Sequence, residues 1–212
     1  MHVLLLGATG RIGQRTASEL LDRGHMVTGV SRSGDAAGIE DESFVAVTGD
    51  ATEPGDVAKL ATAHDAVVSA LEPGEDESPE RLVPMVEATV AGLRRADVDR
   101  LVWTGGAGGL HVGPDTLLVD TPDFPDEWEG LARAAIDAYE VLSEAEDLRW
   151  SYVAPAALIE PGERTGEYRT AERELVADED GDSFISMADF AVALADELEE
   201  GRAVHTYLGT GY

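Results

Sequence analysis

Gly7, Gly10 and Gly13 stand three residues apart, directly after the apolar run Val3–Leu6 and directly before a segment with helical spacing. Glycine lets a chain bend tightly and lets backbone N–H groups come close to an anion. The start of a helix adds unpaired donors and the positive end of its dipole. A strand, a G-x-x-G-x-x-G turn and a helix in that order make a cradle for a diphosphate, lined by Gly7, Thr9, Gly10, Arg11, Ile12 and Gly13. A tight turn that binds nothing is the bland reading of the same residues.

The end of the second strand should then choose the nucleotide. A chain that holds NAD ordinarily places a carboxylate there for the ribose 2′-hydroxyl. Here the strand ends in Val30-Ser31-Arg32-Ser33. The planar fork of Arg32 suits a 2′-phosphate, Ser31 and Ser33 can donate to it, and Arg11 could flank the same group. These residues favour NADP. Asp35 and Glu40, further along, keep NAD possible, and a pair of solvated arginines is the alternative without a ligand. Asp50, beside Ala51 and just past the third strand, is placed to accept from an adenine amino group or to cap the next helix. Ser69, Ala70 and Leu71 end the fourth strand where the adenosine half should rest.

To bring these residues to one edge, the chain must alternate strands with helices. Val3–Leu6, Met26–Val30, Phe44–Val47, Ala66–Ala70, Leu101–Trp103 and Trp150–Val153 read as buried strands, with Val204–Leu208 as a last one. Helical spacing covers Arg11–Arg23, Val57–Ala63, a longer stretch opening at Ser78, Glu127–Ala145 and Met187–Leu198, the last behind a Ser186–Asp189 capping box. Nearly continuous apolar strands alternating with helices predict an α/β fold. The expected form is a single-domain Rossmann fold, a doubly wound parallel sheet with helices on both faces. No repeat or linker divides residues 1–212, and the part from about 105 to 212 is expected to contribute the substrate pocket. The glycine- and proline-rich stretch Gly105–Pro125 reads as a functional loop, and a second loop runs from Pro155 to about Arg169.

Asp and Glu number 43 against 15 Lys and Arg, a formal charge of −28, and Lys59 is the only lysine. The surplus is spread along the chain. It disfavours nucleic acid and anionic membrane surfaces as partners. Self-repulsion of this size is relieved at about 1 M salt, where the screening length is about 3 Å. The composition resembles proteins of salt-accumulating halophilic archaea, and the fold should loosen as KCl is diluted to millimolar levels. There is no cysteine, and the five histidines include no i,i+3 or i,i+4 pair, so no metal site is expected. With no basic leader and no apolar stretch of bilayer length, the expected location is cytoplasmic, as a monomer or homodimer.

Five segments together carry a family resemblance: Gly7–Gly13, Gly49-Asp50-Ala51, Gly105–Leu110, Asp120–Pro125 and Pro161–Arg169. On them the whole chain resembles an atypical short-chain dehydrogenase/reductase, of the NAD(P)H-binding kind grouped with flavin reductases, biliverdin-reductase-like proteins and NmrA-like proteins. The resemblance implies a Rossmann fold and a bound nicotinamide cofactor. It also implies that Thr104, Gly105 and Gly106 lie near the nicotinamide, and that Pro155 and Ala156 border its carboxamide side. His111, Phe124, Trp128 and Tyr168 could wall an aromatic acceptor, with ordinary packing or exposure as the alternative for each, and Thr104 and His111 are the candidate catalytic groups.

One departure redirects the chemistry. Ordinary short-chain dehydrogenases use a Tyr-x-x-x-Lys pair to move a proton. Here Tyr139 is followed four residues later by Ser143, and no lysine occurs after Lys59. Alcohol dehydrogenation through a tyrosinate is disfavoured, and Tyr139 reads as a packed or half-buried helix residue. A conjugated acceptor such as a flavin or quinone takes hydride without that pair, so an NAD(P)H-dependent oxidoreductase of a small conjugated acceptor is the leading expectation. A non-catalytic NADP-binding sensor is the second, and a sugar-nucleotide epimerase or dehydratase the third.

Overall fold

The apolar runs become strands, and glycines or prolines mark where they stop. The computed structural model describes residues 1–74 and 76–212. In chain order, β1 (His2–Leu6) is followed by α1 (Arg11–Asp22), β2 (Met26–Ser31), β3 (Phe44–Thr48), α2 (Pro54–Ala61), β4 (Ala66–Ser69), α3 (Leu82–Ala96) and β5 (Arg100–Thr104). The second half adds the hairpin β6 (His111–Gly113) and β7 (Thr116–Leu117), then α4 (Asp126–Ser143), β8 (Arg149–Ala154), β9 (Leu158–Glu160), β10 (Arg169–Glu172), β11 (Phe184–Ser186), α5 (Met187–Glu200) and β12 (Tyr207–Gly211).

Eight strands form one sheet in the order β10-β12-β8-β5-β4-β1-β2-β3. Every pairing in it is parallel except that of β10 with β12. Strand β1 shows why. Leu4 and Leu6 enter one core with Val67, Val86 and Leu101, while Val3 and Leu5 enter the other with Ala17, Leu20 and Phe190. Each such side chain, fully buried, contributes about 1.5–3 kcal/mol. A strand buried on both sides needs helices on both faces, and α1 and α5 cover one while α2, α3 and α4 cover the other. The strand order reverses at β1, so a crevice opens between the carboxyl ends of β1 and β4.

At the opposite edge, Arg100 and Glu197 form a buried ion pair at 2.9 Å. Glu197 also accepts from Ser151 Oγ at 2.6 Å and from the Ala203 N–H at 3.0 Å, so its charge is satisfied where β5, β8 and α5 meet.

Several boundaries differ from the sequence reading. Helix α2 begins at Pro54, not Val57, because proline suits a first helical turn that needs no N–H donor; it ends before Ala63, which is left-handed at φ 70°. The longer helix opens with a 3-10 turn at Pro79–Arg81 and becomes α-helical at Leu82. The last strand is Tyr207–Gly211, not Val204–Leu208, since His205 adopts φ 58° and turns the chain. The 105–125 stretch holds two 3-10 turns and the β6–β7 hairpin. The loop expected after Pro155 contains β9, which pairs with β11, and leads into β10, an exposed edge strand of sequence RTAE. Its polar, charged character hid it from a search for apolar runs and suits an unpaired edge. The Ser186 cap is as read: its Oγ accepts from the Asp189 N–H at 3.0 Å.

Candidate functional site

Gly7 leaves β1 in the left-handed region at φ 79°. Its N–H and that of Ala8 donate to Val30 O at 3.1 and 3.2 Å, and the Gly10 N–H donates to Gly7 O at 3.1 Å. A Cβ on Gly7 would stand 2.5 Å from Ala70 O, and one on Gly13 would stand 2.1 Å from Gly7 O. The ends of β1 and β4 and the first turn of α1 thus approach too closely for any side chain. Gly10 differs, since its nearest neighbour would be Gly7 O at 3.4 Å, an ordinary contact. Helical bonding begins with the Gln14 N–H on Gly10 O at 2.9 Å, which leaves the N–H groups of Arg11, Ile12 and Gly13 as the donors of the helix end.

No side chain caps α1, and its first turn carries no acidic residue. Asp56 stands in the first turn of α2, Asp126, Glu127 and Glu129 in that of α4, and Asp189 in that of α5; α3 also lacks one, but it continues a 3-10 turn that carries Glu80. In a chain of charge −28 the gap at α1 keeps the positive dipole end uncompensated. Arg11 beside it is exposed and makes no ion pair among the described residues. Free donors, an open dipole and a backbone that excludes Cβ atoms fit a diphosphate.

Arg32, Ser33, Asp50, Ala51 and Ser69–Leu71 lie at the carboxyl ends of β2, β3 and β4, on the β2 and β4 flanks of β1. Ser33 is exposed and its Oγ accepts from the Asp35 N–H at 3.3 Å. Arg32 is not free: its Nη1 lies 2.9 Å from Glu77 Oε1. Asp50 does not cap α2, whose N-cap is Glu53. Its Oδ1 accepts from Thr52 Oγ1 at 2.6 Å and from the Thr52 N–H at 2.9 Å. Those bonds, with Arg81 and Arg32 nearby, hold its carboxyl below the usual Asp range.

On the other side of the crevice, Thr104 ends β5 and Gly105–Gly109 follows. A Cβ on Gly105 would stand 2.1 Å from the Tyr152 ring, one on Gly108 2.6 Å from Ala132 Cβ, and one on Gly109 2.7 Å from the Tyr207 hydroxyl. Tyr207 OH donates to Gly106 O, and Tyr152 OH donates to Ala135 O at 2.7 Å. Burial pushes both phenols well up, so both keep their protons at neutral pH and neither serves as a phenolate base. Thr104 Oγ1 and Ser69 Oγ, at the ends of β5 and β4, are buried without a hydrogen-bond partner among the described residues, the kind of hydroxyl a ligand can satisfy. His111 Nδ1 is likewise unpartnered, though the His111 main chain is fixed against Arg173 and Leu175, on the strand-β10 side. Pro155 is buried, and Ala156 turns its methyl into the core beside Ile185 and Phe190. Any ligand contact from Ala156 is therefore through its main chain.

Tyr139 is the packing residue expected, and the Tyr168 reading changes. Tyr139 packs among Trp150, Tyr152 and Tyr207 at ring-centroid distances of 6.0, 5.3 and 4.8 Å. Trp150 pairs with Leu101, three residues below Thr104, so the Tyr139–Ser143 end of α4 runs away from the crevice. Tyr168 does not wall a pocket there; its hydroxyl donates to Asp196 on α5 at 2.5 Å. The Pro161–Arg169 segment around it is a strap. Arg164 grips Glu19 on α1 at 2.6 and 2.8 Å, and the Thr165 and Gly166 N–H groups donate to Asp189 at 2.9 and 2.7 Å.

Trp128 and Phe124 stand at the start of α4, two turns or more above Ala135. Two cavities, of about 270 and 420 Å³, open between α5 and β10–β12 and beside Tyr139 and Trp150, away from the glycine turn. Among the described residues, no group of His, Asp or Glu could hold a metal ion, and no helix is long and apolar enough to cross a membrane. Sequence reasoning missed Tyr152, Tyr207, Glu77 and Arg81. The two tyrosines lie inside apolar strands and read as core, while the charged pair sits in a polar loop and a helix start where such residues are common.

Comparison with known proteins supplies the remaining findings. A family model described as NAD(P)H-binding matches residues 7–200. The solved structure of a "putative exported protein" from Burkholderia pseudomallei is 42% identical, covers 100% of both chains and superposes with a TM-score of 0.91. A "putative epimerase" from Bacteroides thetaiotaomicron is 32% identical over 100% of this chain and 96% of its own, TM-score 0.92. A "putative NADH-flavin reductase" from Streptococcus pneumoniae TIGR4 is 31% identical over 100% and 99%, TM-score 0.87.

Proposed function

The chain belongs to the NAD(P)H-binding family, and from that premise we propose that it is an NAD(P)H-dependent oxidoreductase acting on a small conjugated acceptor such as a flavin or quinone. The observation that carries the reading is the Gly7–Gly13 turn, with free N–H donors, no acidic residue in the helix's first turn and no room for a Cβ at Gly7 or Gly13. Gly7 and Thr9–Gly13 would hold the diphosphate. Arg32, Ser33, Asp50, Ala51 and Ser69–Leu71 would hold the adenosine half, and Thr104–Gly106 with Pro155 and Ala156 the nicotinamide end. The cofactor bound there supplies a hydride.

The chain's own task is then alignment and exclusion of water. A conjugated electron-poor acceptor draws its proton from water and asks for no general acid. That suits a protein whose only lysine is Lys59 and whose Tyr152 and Tyr207 are held as neutral phenols. The unpartnered Thr104 hydroxyl would orient the reacting pair, with His111 as a polar group on the acceptor side. The Streptococcus relative's name supports a flavin as acceptor. An epimerase reading, which the Bacteroides relative's name raises, lacks the lysine such proton transfer uses.

The test is oxidation of NADPH and NADH with FMN and with a benzoquinone, followed as loss of nicotinamide absorbance against a protein-free control. Turnover several-fold above the control is expected. Tight nucleotide binding without turnover would replace the enzyme by a sensor of the nucleotide, and a folded protein that binds neither nucleotide would remove the basis of both readings.

A further inference from the structure

Arg32 follows β2 and Arg81 ends the 3-10 turn before α3, so the two stand on opposite sides of the adenosine crevice, and one carboxylate joins them. Glu77 Oε1 lies 2.9 Å from Arg32 Nη1 and 3.5 Å from Arg81 Nε. Glu77 Oε2 accepts from the Gly74 N–H at 2.8 Å. Arg81 Nε is buried and makes no hydrogen bond among the described residues. Two guanidinium groups and a backbone N–H converging on one anion make the donor set of a phosphate seat, and here the seat holds a side chain of the same polypeptide.

We propose that Glu77 is a built-in competitor for the adenosine 2′-phosphate, and that Arg81 is the second arm of the seat it fills. The inference rests on the reading of this crevice as the nucleotide site and adds what sets the choice between NADPH and NADH. A 2′-phosphate can engage Arg32 and Arg81 only after the carboxylate swings out and the Gly74 N–H is released. A 2′-hydroxyl leaves the Arg32–Glu77–Arg81 bridge in place. The Gly74 N–H, then Arg32 and Arg81, keep the Glu77 carboxyl below its usual range, so the competitor stays charged at neutral pH. The arrangement narrows a preference for NADPH that Arg32 alone would confer.

Glu77→Gln and Arg81→Gln separate the roles. Titrations at constant ionic strength would use NADPH, NADH, 2′,5′-ADP and 5′-AMP, with thermal melts as a control on folding. Glu77→Gln should tighten NADPH and 2′,5′-ADP about fivefold and leave NADH and 5′-AMP within about twofold, the scale of one exposed ion pair. Arg81→Gln should weaken only the two ligands with a 2′-phosphate, by a similar factor. If Glu77→Gln leaves the ratio of NADPH to NADH affinity unchanged, or weakens both together as loss of a clasp would, the competitor role is wrong. Those outcomes differ from failure of the site itself, in which the unsubstituted folded chain binds none of the four, and which overturns this inference along with the reading beneath it.

Discussion

Two glycine-rich turns follow two strands of one sheet, and glycine serves a different purpose in each. After β1, the atoms that would meet a Cβ are backbone: Ala70 O for Gly7 and Gly7 O for Gly13. After β5, they are side chains: Tyr152 for Gly105, Ala132 for Gly108 and Tyr207 for Gly109. The first turn runs into a helix whose donors stay open. The second runs into a 3-10 turn whose Gly106 carbonyl is already taken by Tyr207. Glycine in sequence therefore signals close approach, and what approaches decides whether the turn offers a surface to a ligand or packs against its own core.

The sharpest way to break this contrast is Gly13→Ala. Its methyl would sit 2.1 Å from a carbonyl oxygen that cannot move without displacing β1. A loss of about 3 kcal/mol or more in stability is expected, at the upper end for overpacking, with nucleotide binding abolished. Gly10→Ala is the control, because that position has φ −69° and room for a methyl. It should melt within about 0.5 kcal/mol of the parent, a surface-like change, yet bind nucleotide about tenfold more weakly. Calorimetric titration beside thermal melts checks both. A Gly10→Ala protein that binds normally would mean that the ligand does not approach this turn.

Gly105→Ala should cost somewhat less, about 2 kcal/mol, since the obstacle is the Tyr152 ring. A side chain can be cut back. In a double-mutant cycle, Gly105→Ala with Tyr152→Leu should lose less than the sum of the singles by about 1 kcal/mol or more. Additive losses would mean that the second turn, like the first, is bounded by backbone.

Much of this was legible from residue order. The first turn could be read because a backbone cradle leaves its mark in sequence: Gly7 and Gly13 have no room for a side chain, and strand and helix must flank them. The parallel sheet could be read because β1, β4, β5 and β8 are built mostly of apolar residues, with the polar ones largely at their ends. The partners of the second turn could not. Tyr152 and Tyr207 lie 47 and 102 residues after Gly105, and nothing local to Gly105-Gly106 names them. Edge strand β10 was hidden because an unpaired edge favours polar residues. The Arg32–Glu77 bridge was hidden because the ion pair forms between loops that are neighbours only once β2 and β4 flank β1. Tyr168 was misread for a related reason: its partner Asp196 is on a helix that sequence could outline but not orient.

Tyr207→Phe asks whether the second turn positions the acceptor end. It removes one hydrogen bond and leaves Gly106 O without that donor, for about 1 kcal/mol of stability. Nucleotide affinity should not change, because the cradle after β1 is untouched. Turnover with FMN or a benzoquinone should fall severalfold if the Gly105–Gly106 main chain sets the nicotinamide end. A matching drop in nucleotide affinity would show that the two turns act as one unit.

The smallest expected effect comes from the strap, whose Gly162 would meet Ser186 Cβ at 2.8 Å and so belongs with the packing glycines. Asp189 holds that strap. Burial tends to raise its pKa, but bonds from Tyr212, Thr165 and Gly166 outweigh burial and leave it below the ordinary value of 3.8. A carboxyl lowered in the folded state adds stability that is fully present above its unfolded value and disappears as pH falls through the folded one. The parent protein should lose that contribution on acidification from about pH 5 downward, and Asp189→Asn should lack that part of the slope. Because the strap's bonds run to α1, α5 and the chain around Ser186, Ala177 and Tyr212, and among the described residues none reaches the glycine turn, nucleotide affinity of Asp189→Asn should match the parent at pH 7. Weaker binding in a variant that still melts near the parent would mean that the strap supports the cradle through α1, and that the two kinds of glycine turn are mechanically linked after all.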